Sequence, residues 1–214
     1  MQKSQVPFQT GTRRLLVTFL RIAWPSMLLG VVTRLLLVAL TAIFVGSAAG
    51  SFVPELASRV IWSTVACSGV GLGTAFAKRR VAAMGIGGFL GAPVAFELAR
   101  GTRKGLAELI RFAPAAGAPS PVALAIIKAI EYGCLGILLG SMGRGRASTG
   151  SYALAGLATS IVFGGAILVL DALTASAPLP APAVLDWLVN EFLFPIGCSL
   201  VIFTADRRDR ASSR

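Results

Sequence analysis

Four charged side chains lie within long apolar stretches of this sequence, where an ionised group is costly to place: Arg34, Lys128, Glu131 and Glu191. Lys128 and Glu131 are three residues apart, so they share one face of a helix. A charge at the centre of a bilayer costs about 2.5–3.5 kcal/mol on insertion scales, and such groups usually face a bundle interior or a water-filled cavity. The four side chains therefore predict either a pathway for a polar solute or a closed ion-pair network.

Three more acidic residues fall where apolar segments begin or end, on one predicted side of the bundle: Glu97, Asp171 and Asp186. An acidic outer rim above a charge-balanced interior suits a cation or a polar solute, because rings of carboxylates attract cations into pores. The sequence therefore predicts that these three residues surround the outer mouth of the pathway.

Residue types that support catalysis are scarce. Histidine, the commonest general base and metal ligand, is absent. The glycines between Gly85 and Gly88 follow no predicted strand, so they do not form a dinucleotide-binding fingerprint. No Walker-type phosphate loop and no paired-carboxylate motif of a di-iron bundle is present. The sequence predicts that the protein is not an enzyme, and it predicts no cofactor.

Three cysteines fall at similar heights in three predicted helices that run in the same direction: Cys67, Cys134 and Cys198. Three thiols at one level could hold a soft metal such as Cu(I). Cysteine also serves as a small apolar residue at helix contacts. The second interpretation is preferred, so the sequence predicts no metal site.

The composition indicates which elements must position these groups. Apolar residues make up 55% of the 214 positions and charged residues 14%, and the mean hydropathy is +0.78. Soluble domains carry about 25% charged residues. A bilayer span needs ~17–25 apolar residues, and six segments qualify: 22–46, 60–77, 81–98, 121–141, 151–172 and 183–204. The predicted fold is an all-α polytopic membrane protein, a six-transmembrane-helix bundle in one domain.

The basic residues predict the orientation of this bundle. The net charge is +11, and most Lys and Arg residues stand in short blocks between apolar segments. With both termini on the cytoplasmic side, thirteen basic residues face the cytoplasm and five face outside, which is the bias of the positive-inside rule. The Ala-, Arg- and Gly-rich composition favours a prokaryotic inner membrane. The bilayer, rather than nucleic acid, is the predicted partner, because no nucleic-acid-binding motif accompanies the basic blocks.

Three regions follow from this topology. Residues 1–21 form a basic cytoplasmic N-terminal segment, residues 22–204 the transmembrane domain and residues 205–214 a basic cytoplasmic tail. Within the domain, residues 99–120 are predicted to form an outer interfacial segment, because Leu106 and Leu109 share one helical face with basic residues around it.

Small residues recur every four positions in two predicted helical hairpins, 60–98 and 121–172. Each hairpin has the same three features in the same order: a small-residue stripe, a basic turn and a second stripe. This shared order indicates an internal repeat. The glycines of these stripes are Gly69, Gly73, Gly87, Gly91, Gly136, Gly140, Gly156 and Gly164. Such stripes let helix backbones approach closely. They are predicted to pack helices within the chain, with homo-oligomerisation through an exposed stripe as the alternative.

Two functions fit these observations. The preferred one is a small transporter or channel-type bundle for an ion or small polar solute, with its path lined by the four intramembrane charges. The alternative is a non-transporting structural or assembly subunit of a larger membrane complex. A transporter predicts a cavity that reaches the buried charges, whereas a scaffold predicts fully paired charges and small-residue stripes on the outer surface.

Overall fold

A computed structural model describes residues 6–46, 52–109, 120–143, 147–174 and 180–212. Within these ranges the chain is almost entirely helical and contains no strand. Residues 110–119, most of the interfacial segment beyond Leu109, lie outside the described ranges, as do the ends of the predicted terminal segments.

Six helices follow one another along the chain. The first four are α1 (Val6–Val45), α2 (Phe52–Leu72), α3 (Arg80–Leu109) and α4 (Pro121–Met142). The fifth, α5, covers 149–174 and contains a π-helical turn at Ser160–Gly164; the sixth, α6, covers 181–212 and contains one at Val189–Leu193. Two 3₁₀ turns, Gly73–Ala75 and Ala77–Arg79, join α2 to α3.

Five of these helices are long and apolar enough to cross a membrane: Leu15–Val45, Arg80–Leu109, Pro121–Met142, Thr149–Leu173 and Ala181–Arg208. They contain five of the six segments expected from the sequence. The prediction of an all-helical chain with long apolar spans is confirmed at this level. The remaining segment, 60–77, differs from the other five.

Segment 60–77 belongs mainly to α2, which is more polar than the apolar spans of the other helices. Its polar residues are tolerated because protein surrounds this helix. None of residues 54–75 is exposed, and α2 contacts α1, α3, α4 and α6. A helix whose neighbours are helices can carry Arg59, Ser63 and Ser68 at buried positions without exposing them to lipid. The sequence analysis treated all six segments alike, whereas the structure makes α2 the interior helix.

Four of the other helices contact α2, and α5 packs against α4 and α6 instead. Each helix contacts the next, and α6 returns to contact α1. The core contains small and medium-sized side chains such as Cys67, Val70, Met84 and Ala92, with Tyr132 and Tyr152 as its largest buried residues. We call the end where α2, α4 and α6 begin the open end of the bundle, and the opposite end, where α3 and α5 begin, the closed end.

The glycines named from the sequence lie at close helix contacts. A side chain on Gly87 would overlap the carbonyl oxygen of Gly69, and one on Gly136 would overlap that of Met84. Gly73 and Gly140 meet the backbone at the start of α3, Gly91 meets Gly69, Gly156 meets Ile196, and Gly164 meets Glu191. Each of these contacts joins two helices of the same chain.

Three helices extend beyond the segments expected from the sequence. The first begins at Val6, so it includes most of the predicted N-terminal segment, and the last continues through 205–212. Residues 99–109, predicted as part of a separate interfacial segment, continue α3 without a break. Arg103, Lys104 and Leu106 in this stretch are good helix formers, which favours continuation.

Candidate functional site

Three buried charges meet at the contact between α4 and α6. The Lys128 ammonium lies 2.8 Å from Glu131 Oε2 and 2.5 Å from Glu191 Oε2. The exposed fractions of these residues are 7% for Lys128, 0% for Glu131 and 8% for Glu191. We call these residues the ion cluster; it joins three of the four side chains predicted to form a pathway or network.

Glu191 reaches this cluster from a π-helical turn that ends two residues before Pro195. The N–H of Phe194 bonds to the carbonyl of Val189, five residues back rather than four, which widens the turn. Pro195 has no N–H, so it cannot donate to the carbonyl of Glu191 four residues earlier. Turns of this kind occur frequently at functional sites.

A second π-helical turn, in α5, faces the first. The hydroxyl of Ser160 donates to the carbonyl oxygen of Phe192 at 3.1 Å, so a polar side chain pairs with backbone that the turn exposes. A Cβ on Gly164 would lie 3.0 Å from Glu191 Cβ, so only a residue without a side chain fits there easily. The sequence analysis placed Gly164 in a packing stripe but gave no indication of the two facing turns.

A cavity of about 610 Å³ at the open end extends to the ion cluster. Lys128 and Glu191 line it, whereas Glu131 does not. Trp62 of α2 and Phe96 of α3 supply aromatic wall surface. The ion cluster is thus paired and also reachable from a cavity, so it combines the features predicted for a pathway and for a network.

A second set of polar side chains lies along the cavity wall. Arg59 forms an ion pair with Asp186 and donates a hydrogen bond to the side-chain oxygen of Asn190. The Asn190 amide nitrogen donates to Asp186 Oδ2 at 3.0 Å. Arg103 lies 3.5 Å from Glu55. These pairs connect α2 to α6 and α3 to α2 around the mouth.

Sequence patterns did not predict four of these side chains: Arg59, Asn190, Glu55 and Arg103. One signal was available: Asp186 and Asn190 are four residues apart, which places them on one helical face. The partnership with Arg59 could not be read from spacing, because Arg59 stands 127 residues before Asp186.

Arg34 lies apart from the ion cluster. It is 4% exposed, its guanidinium carbon lies 5.7 Å from the centre of the Phe52 ring, and it lines a separate cavity of about 250 Å³. This smaller cavity shares Glu55, Arg103 and Asp186 with the larger one, so the two adjoin.

The three predicted rim acids have different surroundings. Asp186 lines both cavities and is paired with Arg59. Glu97 is exposed and lies 3.8 Å from Arg100, and Asp171 is partly buried on α5. Neither Glu97 nor Asp171 lines either of the two cavities. The lining of the two cavities contains five basic and three acidic side chains, and Asp186 is the one member of the predicted rim among them.

The closed end holds a different buried group of charges. Arg80 of α3 pairs with Asp206 of α6, and the Tyr152 hydroxyl of α5 donates to Asp206 Oδ2 at 2.6 Å. Asp206 is 3% exposed. Between this group and the ion cluster, the rings of Trp62, Tyr132 and Phe194 contact one another, with centroids 5.7–6.2 Å apart. Helix-to-helix contacts therefore close this end.

The three cysteines do not form one thiol site. Cys67 and Cys198 are fully buried, whereas Cys134 is only partly buried. No group of three His, Cys, Asp or Glu side chains suited to a metal ion occurs within the described ranges. The three-thiol alternative is therefore not supported by this arrangement.

Comparison with protein-family models, with curated proteins and with solved structures gives no match for this chain. The class of the protein follows from the fold: an all-helical chain in which five helices have the length and apolarity of membrane spans.

Proposed function

We propose that this chain is a small multi-pass membrane protein that takes up an ion or small polar solute in the open-end cavity and carries it across the bilayer. The observation that supports this proposal most directly is the approach of the cavity to Lys128 and Glu191. A buried ion pair that only fixed helix positions would need no such access.

The outer surface supports placement in a bilayer. Large apolar side chains are exposed along α1, α3, α4 and α5, for example Leu35, Ile86, Ile137 and Val162. Soluble monomers rarely expose apolar patches larger than a few hundred Å². In lipid the same surface is favourable, so we infer that these helices face acyl chains and that α2 crosses among them.

The two ends of the bundle suggest how passage is controlled. We infer that a solute enters through the open-end cavity, which Lys128 and Glu191 line, and that the Arg80–Asp206–Tyr152 group blocks its exit at the other end. Passage then requires that this group separates as the solute moves inward. A group that ties together α3, α5 and α6 is well placed for such gating, since its loss would free three helices.

The alternative, a non-transporting structural or assembly subunit, is less favoured by the packing. It predicts small-residue stripes on the outer surface, where a partner could bind. The stripe glycines instead meet neighbouring helices of the same chain. We also propose that the protein is not an enzyme, because histidine, the commonest general base, is absent from the sequence.

We propose that both termini are cytoplasmic, and cysteine labelling tests this. Ser120 and Ser148 are exposed residues that precede α4 and α5, at opposite ends of α4. In a background with Cys67, Cys134 and Cys198 replaced by alanine, Ser120→Cys should react with an impermeant maleimide in intact cells. Ser148→Cys should react only after permeabilisation. Labelling of both from outside would overturn the proposed topology.

Transport is tested with proteoliposomes and impermeant radiolabelled solutes: phosphate, glutamate, choline and lysine. We expect uptake of at least one of them well above that of empty liposomes. The triple variant Lys128→Met/Glu131→Gln/Glu191→Gln, which removes all three charges, should lose this uptake. Glu97→Gln, a charge removal outside the cavities, is the matched control and should retain it. Uptake no greater than in empty liposomes for every solute would favour the structural-subunit alternative.

A further inference from the structure

Among the residues that the structure describes, Arg34 is a buried cation that forms no ion pair with a carboxylate. Arg34 is 4% exposed, its Nε has no hydrogen-bond partner, and no carboxylate lies within 4.0 Å of its guanidinium among the described residues. Its guanidinium lies over the Phe52 ring, 5.7 Å from the ring centre. Burying an unpaired charge is expensive, so the smaller cavity that Arg34 lines calls for a partner of opposite charge.

The helix contact beneath Arg34 places a second arginine nearby. Gly30 precedes Arg34 by one turn on the same face of α1, and a Cβ on Gly30 would lie 2.8 Å from the carbonyl oxygen of Arg59. The absence of a side chain at Gly30 therefore lets α1 approach α2 at Arg59. The Arg59 Nε is buried and has no hydrogen-bond partner within the described ranges, although its terminal nitrogens bind Asp186 and Asn190.

The charges around the two cavities leave a positive excess. Five basic and three acidic side chains line them, and Glu131 adds a fourth acid beneath the larger one. Each lining acid already has a basic partner: Glu191 binds Lys128, Asp186 binds Arg59 and Glu55 lies near Arg103. A cation would have to compete with these partners, whereas an anion meets an unpaired guanidinium.

We propose that the adjoining cavities bind an anionic group, a carboxylate or a phosphate, at Arg34 with Arg59 beside it. The planar guanidinium fork matches the oxygens of both groups. The remainder of the ligand lies in the larger cavity, where Trp62 and Phe96 offer apolar surface. This inference names the substrate class of the proposed transport site. Passage of the ligand across the bilayer rests on the proposed function, whereas its binding at Arg34 does not.

The same chemistry has two sources, a free anion in solution or the headgroup of an anionic lipid. Both present a phosphate or carboxylate to Arg34, and they differ in whether the ligand remains bound through purification. The experiment therefore has one arm for each source, and both arms use the same variants.

The first arm uses three aromatic probes of similar size: phenyl phosphate, benzyl alcohol and benzyltrimethylammonium. Binding to the purified full chain in detergent is followed by the shift in thermal unfolding temperature. We expect phenyl phosphate to stabilise the wild type and the other two probes to have little effect. Arg34→Gln should weaken phenyl phosphate binding at least tenfold, and Arg34→Lys should retain part of it.

Two features make Arg34→Gln a clean test. It breaks no ion pair, so the variant should fold. Lys104→Gln is the matched control, because Lys104 is exposed, lines neither cavity and carries the same charge. This control should bind phenyl phosphate as the wild type does.

The second arm measures the lipids that co-purify with the wild type and with Arg34→Gln by mass spectrometry. Retention of an anionic lipid by the wild type and its loss in the variant would assign the anion to a lipid headgroup. If phenyl phosphate binding depends on Arg34 and lipid retention does not, the anion is assigned to a free solute. If neither signal depends on Arg34, or if benzyltrimethylammonium is the probe that binds, the anion site is wrong.

The two proposals can fail separately. Anion binding that depends on Arg34, without uptake of any solute into proteoliposomes, would leave this site standing and remove the transport function. Uptake of choline or lysine, with no anion binding at Arg34, would leave transport standing and remove this inference.

Discussion

Replacing Lys128 with methionine is expected to destabilise the protein by about 3–5 kcal/mol, the usual cost of removing one partner from a buried ion pair. The substitution leaves the carboxylates of Glu131 and Glu191 close together without a cation. Both residues are buried, at 0% and 8% exposure. Glu131 does not line the cavity, so water does not screen it, and Glu191 is screened only on the side that faces the cavity.

The matched variants separate loss of pairing from loss of side-chain volume. Glu131→Gln and Glu191→Gln should each cost much less, because Lys128 keeps one carboxylate in either case. The triple variant Lys128→Met/Glu131→Gln/Glu191→Gln should recover most of the loss, since it contains no isolated charge. The stability of all four variants is measured as the apparent unfolding temperature in detergent. A triple variant as unstable as Lys128→Met would show that packing, not pairing, accounts for the loss.

Replacing Gly87 with alanine should also destabilise the bundle, although only one methyl group is added. That methyl group would overlap the carbonyl oxygen of Gly69, and backbone cannot rotate away as a side chain can. Overpacking typically costs about 1–3 kcal/mol. We expect a value at the upper end, because α2 and α3 have to separate to accommodate the group.

The control for this prediction lies on the same helix. An added Cβ on Gly101 of α3 would meet no atom within 4 Å beyond the adjacent backbone of its own helix. Alanine is the better helix former by about 1 kcal/mol, so Gly101→Ala should leave stability unchanged or raise it. The thermal unfolding temperatures of the two variants are compared under one condition. Equal behaviour of the two would contradict the close α2–α3 contact.

Local sequence patterns predicted a large part of this architecture. Long apolar segments indicated helices of membrane-spanning length, and five of the six segments have that character. The spacing of Lys128 and Glu131 placed them on one helical face, where the structure pairs them. These features depend on hydropathy and on the 3.6-residue period, and both can be read within about twenty consecutive residues.

Local sequence patterns could not predict which charged residues come together in one site. The sequence analysis grouped Arg34 with the ion cluster and missed Arg59, because all buried charges at similar depth are equivalent in a topology diagram. The structure puts Glu191 beside Lys128, 63 residues away along the chain, and Arg34 beside Phe52. The rotation of each helix about its axis decides such partnerships.

The sequence by itself determined the helical class, the length of the apolar spans and the scarcity of groups for catalysis. Only the tertiary structure decided that α2 is the interior helix, that two π-helical turns face each other at Glu191, and that a cavity joins the open end to the ion cluster. The physical reason is that hydropathy and periodicity are local properties. Burial, cavities and ion pairs depend instead on which faces of distant helices meet.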